Sequence, residues 1–155
     1  MNTTDKFNFK SALCTSRGQS KRLLALGLKK ETADMHWYYT GEIFGWQCSC
    51  QSYKEAFDFP FRSEDLQYIR PAWSLHRLIE MMPTHIYQGE HGFYRTIKPH
   101  SILYIPVDME SIGSIGRVVV NTNNYYDGII EMYEWLIKEG CFKKDYLENE
   151  MEEKM

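Results

Sequence analysis

Apolar positions along the chain repeat with a helical period in three places and alternate between neighbours elsewhere. In "PAWSLHRLIEMMP", Leu75, Leu78, Ile79 and Met82 recur at i, i+3, i+4 and i+7, which gathers them into an arc of about 100° on a helix. Ser74 is placed to cap that helix, and Pro83 blocks its continuation. A helix is therefore predicted over 74–82 as the wall of a core, and Pro71 stops whatever precedes it.

"NNYYDGIIEMYEWLIKEG" carries the strongest helical pattern. Asn124 is a cap with Asp127 three residues on, and Gly140 is placed to close the helix. Tyr125, Tyr126, Ile129, Ile130, Met132, Tyr133, Leu136 and Ile137 fall on a wide apolar side, so a helix over 125–139 should lie flat on a sheet, with Trp135 outside the stripe. "TSRGQSKRLLALGLKKETADM" predicts a helix capped by Thr15 or Ser16 and ended at Gly27, then a second short helix from about Lys30 to Met35.

Alternating and β-favouring runs fill the rest. "MHWYYTGEIFGWQC" predicts a hairpin around Thr40-Gly41. "HIY" and "FYRTI" are joined across "QGEHG", and Pro99 sets a second turn. "SILYIPV" alternates as a half-buried strand should, "SIGSIG" reads as a loop and "RVVVN" as a last strand. "QSYKEAFDFPFRSEDLQYI" is ambiguous, with a helix start at Ser63. The predicted architecture is α+β: an antiparallel sheet over about residues 85–120, covered by helices at about 74–82 and 125–139, with N-terminal helices and a hairpin at one end. Residues 15–147 form a single domain between a flexible N-terminus (1–14) and a charged tail (148–155).

With 155 residues, a single fold buries roughly 70% of the unfolded chain's surface and needs no staple. Aromatic residues make up 15% of the chain, with eleven Tyr, eight Phe and four Trp. Trp37, Tyr38, Tyr39, Phe44, Trp46 and Trp135 are too many for one small core. Trp37, Tyr39, Trp46 and Trp135 are accordingly candidate anchors for a protein partner or a second copy of the chain. Another place for Trp135 is under the C-terminal turn with Phe142 and Tyr146.

The formal charge of −3 argues against wholesale attraction to nucleic acid. It is unevenly spread: residues 1–30 hold seven cations against one acid, and the stretch from Asp127 onward holds nine acids against four lysines. Two solvated ends explain this. The alternative is phosphate binding through Arg17, Lys21, Arg22, Lys29 and Lys30 on two helices around Gly27, an arrangement compatible with a helix-turn-helix. No apolar run approaches a membrane span of ~20 residues, and no secretory signal is visible. The four cysteines are then expected to be reduced thiols in the cytoplasm.

Candidate chemistry is sparse. Cys48-x-Cys50, with His36 approaching across the hairpin, is the most metal-like group. It lacks the paired spacing zinc prefers. The bland reading of Cys48 and Cys50 is two thiols on opposite faces of a strand. Cys14 and Cys141 have no local base or acid to make a nucleophile. "GSIGR", Gly113 to Arg117, leads into a strand rather than a helix, unlike a phosphate loop. His76, Arg77 and Glu80 have the spacing of an acid/base group, and equally that of a helix-stabilising pair. No pattern points to a cofactor.

"LLALGLKKETADM", "PAWSLHRLIEMMP" and "DGIIEMYEWLIKEGCFKKDYL" together resemble an uncharacterised family of small proteins from gut anaerobic bacteria, their phages and mobile elements. The resemblance spans roughly Ser11 to Leu147 and is weakest over 36–65. A weaker similarity, through "PAWSLHRLIE" and the final helix, is to phage sandwich-type domains. The family implies no activity to carry over. The reading is a non-enzymatic binding or accessory protein acting through aromatic contacts. The alternatives are a nucleic-acid binder and a small metal protein or enzyme.

Overall fold

A computed structural model describes residues 12–58, 69–107, 118–120 and 124–148. The chain is α+β, with two antiparallel sheets among these residues. Helix α1 (Arg17–Ala25) precedes β1 (Met35–Tyr39), β2 (Trp46–Ser49), α2 (Tyr53–Asp58) and β3 (Ile69–Ala72). Helix α3 (Leu75–Met81), strands β4 (His85–Gln88), β5 (His91–Lys98), β6 (Ser101–Pro106), β7 (Val118–Val120) and helix α4 (Tyr125–Lys138) follow. The first sheet has the order β2-β1-β3 and the second the order β4-β5-β6-β7.

The second sheet is the one expected over about 85–120. Ile86, Phe93, Ile102 and Tyr104 are buried on its inner face, and Ile129, Met132, Tyr133 and Leu136 of α4 are buried in the same core. Helix α3 is fastened to it by polar bonds. Arg95 donates to the Ile79 and Met82 carbonyls (2.7 and 2.8 Å), Tyr104 to the Pro83 carbonyl (2.7 Å), and Tyr133 to the Leu78 carbonyl. These bonds satisfy carbonyls at the C-terminal end of α3 and in the turn after it, and the Ile79 carbonyl also accepts the Met82 N–H (3.2 Å).

The first sheet was only partly foreseen. The hairpin forms, but its connection is the six residues 40–45, and Thr40 N–H donates to the Gly45 carbonyl (2.9 Å). A third strand, β3, pairs with β1, and Pro71 lies inside it opposite His36. Proline, which lacks a donor, is tolerated there because β3 is an edge strand. The second N-terminal helix expected over 30–35 is a single 3-10 turn, Lys30–Thr32, and Met35 already opens β1. Four consecutive β-favouring side chains, Trp37 to Thr40, draw the chain into a strand there.

Helix α1 begins with a capping box. The Ser16 hydroxyl accepts from the Gln19 N–H (3.1 Å), and the Gln19 side chain accepts from the Ser16 N–H (2.9 Å). It ends as predicted at Gly27, in the left-handed region (φ 96°), with Leu28 N–H donating to the Leu23 carbonyl (3.2 Å). Residues 12–14, expected to be flexible, are tied down: Cys14 is buried, and the Ala12 carbonyl accepts from the Tyr126 hydroxyl (3.0 Å). The helix start at Ser63, the Gly113–Arg117 loop and the tail beyond Glu148 lie outside the described residues. No helix among the described residues is long and apolar enough to cross a membrane.

Candidate functional site

Strand alternation decides which side chains of the first sheet meet. Trp37 lies opposite Cys48, Tyr39 opposite Trp46, and Trp37 opposite Arg70, so these five share one face. His36, opposite Ser49, lies on the other. Helix α1 packs along the first face, and a groove of about 350 Å³ opens between them.

Arg17, Lys21 and Leu24, spaced i, i+4 and i+7, line the helical wall. Trp46, Arg70 and Pro71 line the opposite wall, and among the described residues no acid borders the groove. The Arg17 guanidinium sits 4.6 Å from the centre of the Trp46 ring, and that of Arg70 sits 6.0 Å away. Two guanidinium groups thus lie against one half-buried aromatic, and Lys21 adds a further cation to the groove's lining.

Beside the groove, the hairpin connection projects. Ile43 is 89% exposed and Phe44 70% exposed, with Tyr38 and Tyr39 also open to solvent. The connection is held by Thr40, whose hydroxyl and N–H both donate to the Gly45 carbonyl (2.9 Å each), and by Gly45 N–H donating to the Gly41 carbonyl (2.8 Å). These two large apolar side chains are thus held out on a braced turn.

The proposed sites are redistributed accordingly. Of the five basic residues, Arg17 and Lys21 enter the groove. Arg22 pairs with Asp127 (3.4 Å) on the surface, and Lys29 and Lys30 lie beyond Gly27, at the other end of α1. The missing second helix removes the helix-turn-helix geometry. Of the four aromatic anchors, Tyr39 and Trp46 pack against each other with tilted rings, 5.5 Å between centroids. Trp37 is half-buried and donates to the Thr15 carbonyl (2.8 Å). Trp135 packs on Tyr104, 6.3 Å away, rather than on Phe142, whose ring lies against Tyr133 and Tyr146.

For the thiols, residues two apart on a strand share a face, so alternation does not separate Cys48 and Cys50 as expected. The end of β2 does. Cys50 lies past Ser49 and is exposed, whereas Cys48 turns inward onto Cys14, Sγ to Sγ 2.8 Å. Burial pushes both thiols of that pair above the ordinary range. His36 is buried and its Nδ1 bonds to the Gln51 carbonyl (2.7 Å). Among the described residues, no three His, Cys, Asp or Glu side chains gather to hold a metal.

On α3, Glu80 pairs with Arg77 (2.9 Å), and that bond holds its carboxyl below the usual range. Arg77 also donates to the Thr32 carbonyl (2.9 Å). These contacts leave His76, Arg77 and Glu80 as a surface-side support of the helix.

Sequence reasoning missed Arg70 and the hairpin tip. Arg70 immediately follows the ambiguous stretch and precedes Pro71, so no pattern marked it. Ile43 gave no periodic signal, although two large apolar residues between glycines were a legible oddity. No protein-family model, curated protein or solved structure matches the chain.

Proposed function

We propose that the protein is a non-enzymatic binding protein that seats an acidic segment of a partner protein in the groove between α1 and the first sheet. The apolar tip of the hairpin grips the partner beside it. The observation that carries this reading is the pairing of Ile43 and Phe44, 89% and 70% exposed, with an adjoining groove whose helical wall presents Arg17 and Lys21 and which no acid borders among the described residues. Carboxylates answer the charge, and an apolar anchor on the partner answers the tip. The resemblance to small proteins of gut anaerobes, their phages and mobile elements fits an accessory role of this kind, in the cytoplasm of a bacterial cell.

A second reading, single-stranded nucleic acid, has one observation in its favour: the cations surround a tryptophan, as in stacking platforms. The Arg17 guanidinium already stands over that ring at 4.6 Å, so a base would have to displace it. This favours the peptide.

A labelled acidic peptide containing two phenylalanines, its alanine counterpart and a single-stranded oligonucleotide, each titrated at low salt, test the proposal. The phenylalanine peptide should bind at least several-fold tighter than the other two. Arg17→Glu/Lys21→Glu and Ile43→Ser/Phe44→Ser should each weaken it about tenfold or more. Tighter oligonucleotide binding, with a steep fall in salt, would transfer the site to the second reading. Indifference of the peptide to both pairs of substitutions would remove the site altogether.

A further inference from the structure

We infer that Cys14 and Cys48 are a disulfide-forming pair, oxidised by a low-molecular-weight disulfide of the glutathione type. The inference stands on geometry separate from the groove's charge. Their sulfurs lie 2.8 Å apart across 34 positions of sequence, and both backbones are fixed close by. Thr15 N–H donates to the Trp73 carbonyl (2.9 Å), and its carbonyl accepts from the Trp37 indole (2.8 Å). Trp37 is itself the register partner of Cys48. The sulfurs therefore need to close only from contact to a bond of about 2.05 Å. A hollow of about 390 Å³, lined by Leu13, Cys14, Gln19, Trp37 and Cys48 among others, admits a small reagent to the pair.

Cys48, half-buried, is reached first; Cys14 is 4% exposed. Cys48 loses its proton and its sulfur attacks one sulfur of the reagent. The reagent's S–S bond breaks, and the expelled thiolate takes up a proton. Cys14 then loses its proton and attacks the Cys48 sulfur of the mixed disulfide, expelling the second reagent thiolate, which is protonated in turn. The pair is oxidised by two electrons, and the reagent is reduced to two thiols. The new bond joins the segment entering α1 to β2.

The test uses the full chain, reduced, then incubated anaerobically with oxidised glutathione and mapped by mass spectrometry without reduction. A Cys14–Cys48 cross-linked peptide is expected, with the four free thiols falling to two. The rate should rise about tenfold per pH unit while both thiols remain mostly protonated. Cys50→Ser should leave the product unchanged, and Cys14→Ser should stop at glutathione on Cys48. A Cys48–Cys50 bond in the wild-type chain, or four thiols that end free or capped only by glutathione, would overturn the inference.

Discussion

Trp73 links the end of β3, in the first sheet, to α3, which is bonded to the second. It is fully buried, and its indole donates to the Thr32 hydroxyl (3.0 Å), which donates onward to the Lys29 carbonyl (2.6 Å). Its backbone N–H donates to the Thr15 hydroxyl (3.1 Å). Replacing Thr32 with valine keeps the shape and strands the indole N–H without water, which costs about 1–3 kcal/mol. Thermal unfolding should therefore occur several degrees lower in Thr32→Val, whereas Thr32→Ser, which keeps the acceptor, should lie much closer to wild type. Equal losses in the two variants would show that the methyl group and not the hydroxyl matters. None of this was legible beforehand. Trp73 precedes the cap of α3, outside every periodic stripe, and its partners are 41 and 58 positions away. Ser74 was legible as that cap, and it accepts from the Arg77 N–H (3.1 Å). Its further bond from the backbone N–H to Asp34 (2.9 Å) was not.

At the scale of elements, local chemistry spoke clearly where it was self-contained. Caps, glycine stops and the meander from β4 to β6 all rest on neighbours within a few residues, and they stand where the pattern put them. Strand β3 did not announce itself, because its four residues include a proline and only its partner β1 makes it a strand. The groove was half-visible for the same reason: Arg17 and Lys21 share a helix face, but Arg70 arrives through β3. Gly27 offers a clean measure of a local device. A Cβ there would meet nothing within 4 Å, so the positive φ of 96° is the whole obstacle to substitution. Gly27→Ala should cost about 1–2 kcal/mol in urea unfolding, and Gly27→Asn distinctly less. A neutral alanine variant would mean that the turn after α1 re-forms in another conformation.

For the whole molecule, the many buried phenols and thiols set a pH dependence. Burial raises Cys14, Cys48 and Cys141 above the ordinary thiol range and Tyr104 and Tyr133 above the ordinary phenol range. The folded chain thus keeps protons that the unfolded chain releases at ordinary values, near 8.5 for thiols and about 10 for tyrosine. Stability from these groups is full below about pH 8 and declines as pH rises through and beyond those values. The urea midpoint should fall progressively between about pH 8.5 and 10.5. A midpoint constant across that window would show that these groups titrate alike in both states.

Helices α1 and α4 also begin side by side, joined through Gln19, whose amide donates to Asp127 (2.9 Å) and to the Asn124 cap (3.4 Å). Each helix start carries a partial positive charge of roughly +0.5, so two like poles face one another there. Asp127 is the counterweight at that meeting point, a larger task than its surface pairing with Arg22 would suggest. Neutralising it in Asp127→Asn should lower stability by about 0.3–1 kcal/mol in dilute buffer, a deficit that shrinks as added ions screen the two facing poles.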